Sequence, residues 1–379
     1  MYIWLAGALA GLFILYFFLV RKSNSPVKEE IIPDLVREIP SKAPSSHKVP
    51  PKIQKSAPVK VTHKELIDSY KGLQGAVIDF DMKENYFAVC CEDGTVRIYK
   101  INSPTDTKAK YVQGILEKNQ PTAIALNSSG NIVYVGGSQD LQIHQFKVQQ
   151  TGQKRTLEVE KVFIKKHFLK ISSLCYTPTC LISCGEEQDI TIHIWSHTGD
   201  LLFSHENKQL KHKRMLMSRD YNFFSIVTWL GSARIFEITK EKKTQNFSGI
   251  RSVMELGGHS QGLSTLAFSV DSHFAVTCSH DHNVKLWNIN VQYELRENPV
   301  LLKTLKLDDG MTVPSACAVS DKRVVLACEG CIRIYSVPNL ELVNVIENAH
   351  SREIIKIDLI QGVLVTCAAE PRIHLWHID

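Results

Sequence analysis

A chain of 379 residues with 44% hydrophobic content is long enough to bury a large core and to hold one to three domains. Its net charge of +5 lies outside the globular part, because residues 21–62 carry nine Lys/Arg against four Asp/Glu while residues 63–379 carry 35 of each. That neutrality excludes a generally basic nucleic-acid-binding domain and leaves only a local basic stripe to consider. The ten cysteines are unevenly spaced and sit mostly in apolar runs (VCC, ISCG, VTCS, VTCA), so they read as buried reduced thiols of a cytosolic domain.

Residues 2–20, YIWLAGALAGLFILYFFLV, hold no charge and would span about 28 Å as a helix, close to the hydrocarbon thickness of a bilayer. A cleaved signal peptide fits less well, since no basic segment precedes the run and the small residues Ala6, Gly7 and Ala8 come before its most apolar part. Arg21, Lys22 and Lys28 follow the span, which places the C-terminal side in the cytosol by the positive-inside rule. Residues 1–20 are therefore expected to form a single-pass transmembrane anchor. Residues 21–58 hold seven of the fourteen prolines and no apolar periodicity, and read as a disordered basic tether with a reach of about 35 Å.

From residue 59 to 379 a short pattern recurs: an acidic residue or Gly, then alternating apolar positions ending in an aromatic. Its instances are DGTVRIY, DLQIHQF, DITIHIW, GSARIF, DHNVKLW, EGCIRIY and EPRIHLW, ending at Tyr99, Phe146, Trp195, Phe236, Trp287, Tyr335 and Trp376. The ends lie 47, 49, 41, 51, 48 and 41 residues apart, the length of a four-stranded blade with variable loops. A second apolar run precedes each instance (YFAVCC, IVYVGG, CLISCG, FFSIVTW, FAVTCS, VVLACE, VLVTCA), and the period of two says β-strand. The fold class is all-β, a closed seven-bladed β-propeller. The last instance leaves blade seven without an outer strand, and the segment from Val59 to Leu66 (VKVTHKEL) is expected to supply it and close the ring.

Blade five contains a His, a Thr, an Asp and a Trp at suggestive spacing: His259, Thr277, Asp281 and Trp287. The set resembles the structural tetrad of WD-repeat proteins, in which a buried Asp accepts from the His and turn amides while the His passes on to Ser/Thr and Trp. His167, Ser183, Asp189 and Trp195 repeat it in blade three, and His350, Thr366, Glu370 and Trp376 in blade seven, with Glu where Asp is expected. The His-to-Trp separations are 28, 28 and 26. Recurrence around a ring belongs to a scaffold, because a single active site has no reason to repeat. His280 and His282, flanking Asp281, are expected to point outward on a solvated turn, and no third metal ligand stands near them.

Other chemistry is sparse. Cys328-Glu329-Gly330-Cys331 is a lone CxxC at a blade-six turn, Cys90-Cys91 reads as a core pair, and no GxxxxGK[ST], GxSxG or HExxH is present. The sequence therefore argues against an enzyme and implies no cofactor, metal or small-molecule substrate. Lys240–Lys243 and Lys165-Lys166 read as solvated loops. The run KQLKHKRMLMSR (208–219) opens blade four, which has lost its Asp and Trp. With Lys211, Lys213 and Arg214 it is a candidate surface, beside His280 and His282, for an acidic partner or RNA phosphate.

The stretch GGHSQGLSTLAFSVDSHFAVTCSHDHNVKLWNINVQYELRENPVLLKT resembles the transducin beta-like, endoplasmic-reticulum-anchored WD-repeat family. The likeness extends more weakly over residues 66–379 and includes the order of span, basic linker and seven blades. It implies a scaffold at the endoplasmic-reticulum membrane, with its propeller in the cytosol, acting in the unfolded-protein response. The implied partners are the ER-stress kinase that phosphorylates a translation initiation factor, and mRNA or ribosomes. The polar tail that follows the propeller in vertebrate relatives is absent from this sequence. An alternative is a membrane-anchored exchange factor for a small GTPase in vesicle budding, a propeller family that carries its span after the blades instead of before them.

Overall fold

The computed structural model describes residues 63–378 apart from 104, 210 and 309. The span expected over residues 2–20 and the tether over 21–58 lie outside the described residues. No helix among the described residues is long and apolar enough to cross a membrane.

Seven four-stranded antiparallel sheets account for the chain from Leu66 to His377, one for each sequence repeat. Strands are named a to d from the central channel outward. Each repeat's aromatic end falls on strand c, as in Thr95–Lys100 of blade one, Thr191–Trp195 of blade three and Asn283–Asn288 of blade five. The preceding apolar runs form strand b, where near-continuous burial explains why they lack alternation: Leu181–Gly185 and Val363–Ala368 are buried throughout.

Blades bury their faces only against their neighbours. Ala88, Cys90 and Val96 of blade one pack with Ile124, Val135 and Phe146 of blade two, and similar clusters repeat around the ring. The innermost strands are tied by polar contacts as well. Asp79 accepts from the amide of Ile124 at 3.1 Å and pairs with Lys356 of blade seven at 2.7 Å. Ser173 Oγ accepts from the amide of Met215 at 2.9 Å. A β-bulge precedes Asp79, Ser173 and Lys356 on their strands, turning these side chains out of the ladder toward the next blade.

Blade seven takes its outer strand from the beginning of the described chain: Leu66–Tyr70 pairs antiparallel with Ile373–His377, with Ser69 opposite His374 and Tyr70 opposite Ile373. The closing strand thus runs past the end of the expected segment: it begins at Leu66, the Glu65 carbonyl just ahead of it accepts from the His377 amide at 2.9 Å, and residues 59–62 of that segment lie outside the described residues. The reason lies in Tyr70. Its ring is 1% exposed, stacks on Phe87 at 4.8 Å and leans on Tyr99 at 5.4 Å, inside the cluster that joins blade seven to blade one. Burying an aromatic of that size is worth about 2–3 kcal/mol, which sets the register.

All ten cysteines are free and eight are buried. Cys328 and Cys331 face each other across the two-residue turn Glu329-Gly330. Burial pushes the Cys328 thiol up to about 11 and that of Cys331 upward, so both stay protonated and unreactive at neutral pH.

Candidate functional site

The three tetrads assemble as hydrogen-bonded corners. In blade five, His259 Nδ1 donates to Asp281 at 3.1 Å, Thr277 Oγ1 bonds His259 Nε2 at 2.9 Å, and Trp287 Nε1 donates to Thr277 Oγ1 at 3.0 Å. Asp281 also accepts from the amides of Ser260 at 2.9 Å and Asn283 at 3.0 Å. Burial acts to raise its pKa, but those amides and the His259 ring outweigh it and hold the carboxyl down to about 2. In blade three the bonds run His167 to Asp189 at 2.7 Å, His167 to Ser183 at 2.8 Å and Trp195 to Ser183 at 2.9 Å. In blade seven Glu370 takes the Asp place, bonding His350 directly, with Thr366 at 2.7 Å from His350 and 2.8 Å from Trp376.

Strand c adds a second histidine beside two of these corners. His193 lies 4.7 Å from the His167 ring, and His374 lies 4.5 Å from His350. Burial, aided by the neighbouring tetrad histidine, depresses both to about 4, so both rings are neutral in the folded protein. His350, Glu370 and His374 converge as a metal site would. However, the His350 nitrogen and the Glu370 oxygen are already in direct hydrogen bond, which leaves no room for an ion between them.

Corner chemistry thus absorbs the residues that resemble catalytic groups. The central channel absorbs others. Arg214, expected at the surface, instead turns inward: its guanidinium donates to the Ile355 carbonyl at 2.8 Å and lies 3.8 Å from Asp79. As the first residue of strand a in blade four it faces the channel, not the loops. Arg219 crosses to Asp358 at 2.5 Å. The cavity among these groups holds about 190 Å³, below the roughly 300 Å³ where small-molecule pockets begin. On the side of the a–b loops lies a wider open depression of about 800 Å³, bordered by Asp271, Asp321, Lys322 and Arg323, whose charges cancel.

What remains is on the face formed by the b–c and d–a loops. Trp229 follows strand b of blade four, Phe223–Val227, and does not extend it; the sequence run FFSIVTW hid this. The Leu230 amide donates to Thr228 Oγ1 at 3.3 Å, turning the chain. Gly231 then passes so close to blade five that a Cβ would meet the His259 carbonyl oxygen at 2.2 Å. The tight turn leaves the Trp229 side chain half exposed, at 50%. His280 lies parallel to its indole, ring centroids 5.1 Å apart and planes 3° apart. Lys213 Nζ sits 4.5 Å from the indole centroid and donates to His280 Nε2 at 3.0 Å, and Lys211 Nζ sits 5.3 Å from the same ring. His280 is therefore half-buried in a platform and does not stand free. His282 stays exposed, with a φ of 60° in the turn. Of the expected surface, Lys211, Lys213 and His280 come together, His282 lies beside them and Arg214 does not.

Sheet count and strand order define a seven-bladed β-propeller with a polar corner that recurs in three of its blades. The family profile described as "WD domain, G-beta repeat" matches residues 69–100 and 250–288, and the crystal structure of the WD40 beta propeller domain of Doa1 shares the fold at TM-score 0.58 and 17% identity, covering 83% of this chain and 97% of that one. Among named relatives, the chain is similar to transducin beta-like protein 2 of Mus musculus, 25% identical over 270 residues, and of Homo sapiens, 24% identical over 324 residues. The matches cover 70% and 83% of this chain, and 61% and 72% of the mouse and human proteins.

Two outcomes follow from this geometry. Asp281→Ala leaves the His259 ring and the Ser260 and Asn283 amides without their acceptor, at a cost of about 2–4 kcal/mol. His280→Ala with His282→Ala should change stability by less than about 1 kcal/mol, and urea denaturation of the two variants measures the contrast. The second outcome concerns pH. His193 and His374 titrate near 6.5 when unfolded and near 4 when folded. Between those values the unfolded chain binds protons that the folded chain does not. Their contribution is complete above pH 6.5 and is lost as pH falls toward 4. At pH 5.5 the loss is about 1 kcal/mol per ring, read as a lower urea midpoint than at pH 7.5, and His193→Gln with His374→Gln should flatten that dependence.

Proposed function

We propose that this protein is a non-enzymatic scaffold, tethered to the endoplasmic-reticulum membrane by residues 2–20, whose cytosolic propeller presents the Trp229 loop face to protein partners in the unfolded-protein response. The observation that carries the reading is the division of labour among polar residues. The His, Ser/Thr and acidic groups of the tetrads are spent in repeated corners, and the channel arginines are spent on Ile355 and Asp358. The basic and aromatic groups left on the loop face are suited to binding and lack a nucleophile–base pair.

The resemblance to an ER-anchored WD-repeat family, and the similarity to transducin beta-like protein 2, support the membrane and stress setting. The uncharged run from Tyr2 to Val20, followed by Arg21 and Lys22, supports the tether and its orientation. The ER-stress kinase and components of the translating ribosome are the partners this reading names. The absence of disulfides among ten cysteines agrees with a cytosolic propeller.

Two glycosylation sequons make orientation measurable. Asn127 is buried and its amide nitrogen donates to Ser129 and Asn131, whereas Asn246 is exposed at the turn before the outer strand of blade four. The full chain, expressed in stressed cells, should fractionate with membranes, show no endoglycosidase-sensitive mass shift and co-purify with the kinase or ribosomal components. A shift that Asn246→Gln abolishes, or the absence of both partner classes, contradicts the proposal.

A further inference from the structure

The loop face carries an electrostatic imbalance that the fold itself does not resolve. Among the described residues, the lysines that form ion pairs are Lys71, Lys83, Lys147 and Lys356; Lys211 and Lys213 form none. Glu187 pairs with His212 through the backbone, at 2.7 and 3.0 Å, yet its carboxylate makes no ion pair with the lysines on either side. Lys213 is half-buried, and burial pulls its pKa down with no carboxylate to oppose it. Its ammonium is held by a ring nitrogen of His280 and the face of Trp229. Such contacts orient a cation without neutralising it.

An apolar surface adjoins this charge. Trp229 is 50% and Leu230 45% exposed. The loops are fixed: the Leu263 amide donates to the Thr228 and Leu230 carbonyls and the His280 amide to the Gly262 carbonyl. A rigid apolar patch beside unpaired cations is complementary to a segment that alternates acidic and apolar side chains.

We infer that this platform docks an acidic peptide segment of a protein partner, with carboxylates on Lys211 and Lys213 and a Leu or Phe side chain against Trp229 and Leu230. The inference rests on the scaffold reading and specifies the chemistry of its partner. A nucleic acid fits the platform less well. The indole already has an imidazole parallel to it and two ammonium groups over it, so a stacking base must displace them. A carboxylate meets the ammonium groups where they stand.

The test uses the full chain in detergent and a fluorescein-labelled peptide alternating Glu with Leu and Phe, read by fluorescence anisotropy. Binding should weaken at least tenfold when Gln replaces Glu in the peptide, when Lys211→Glu is combined with Lys213→Glu, and when Trp229 is changed to Ala. It should also weaken with added salt and be unaffected by Lys322→Glu on the opposite face. Circular dichroism establishes that each variant is folded, and Lys211→Glu alone, at an exposed side chain, serves if the others are not. Equal binding of the Gln peptide, unchanged binding by the lysine variants, or platform-dependent binding of oligouridylate without binding of the peptide overturns the inference. Retention of the kinase or ribosomal components by the lysine variants, with loss of peptide binding, would overturn the platform's role in docking those partners while leaving the scaffold reading in place.

Discussion

The ladder between Leu66–Tyr70 and Ile373–His377 is the interaction on which the rest of the structure depends. A blade of four strands buries little on its own, so each sheet draws its core from the sheets beside it. Such an arrangement is complete only when the last blade is built and meets the first. Here one short segment does both: Leu66 and Ser69 pair with the third strand of blade seven, while Tyr70 enters the aromatic cluster of Phe87 and Tyr99 in blade one. The Asp79–Lys356 pair makes the same junction at the channel. With the ring closed, no blade is left with an uncovered face.

Closure also explains where chemistry can and cannot reside. Adjacent blades meet at sharp loops whose backbone amides and polar side chains would otherwise be buried without partners. The tetrads satisfy them, and in doing so commit histidines and carboxylates that in isolation look like catalytic pairs. Replacing Asp by Glu in blade seven changes the reach of the carboxylate, not its role, since Glu370 still bonds His350 and also accepts from Ser351. Blade four has no such corner. Its loop, freed from Asp and Trp at those positions, carries Trp229 outward and sets it against Lys213 of the preceding loop and His280 of the next blade.

Much of this was legible in the sequence, and the reasons are specific. Seven blades followed from alternation and spacing because strand c is buried on one pattern in every repeat. The tetrads followed because their residues lie at fixed offsets within single repeats. The end of the closing strand was not legible because VKVTHKEL alternates as well as LIDSY does, and only the bulk of Tyr70 against Phe87 distinguishes them. Arg214 was misplaced because a charged residue at the start of an inner strand reads as loop when the channel is not in view. The Trp229 platform was the least legible feature: Lys213, Trp229 and His280 come from three loops and meet only through the curvature of the ring. The one available signal was a tryptophan followed by Leu-Gly-Ser at the end of an apolar run, a residue too large to be left there without a partner.

Hydrogen exchange of the native protein tests the closure most directly. If Leu66–Tyr70 is an integral strand, its amides exchange with the same protection as those of Ile373–His377, and Tyr70→Ala lowers protection in both blade seven and blade one together. Exchange of Leu66–Tyr70 faster by orders of magnitude than that of its partner strand, with blades one and seven unaffected by Tyr70→Ala, would show that the ring holds without it and would contradict this account.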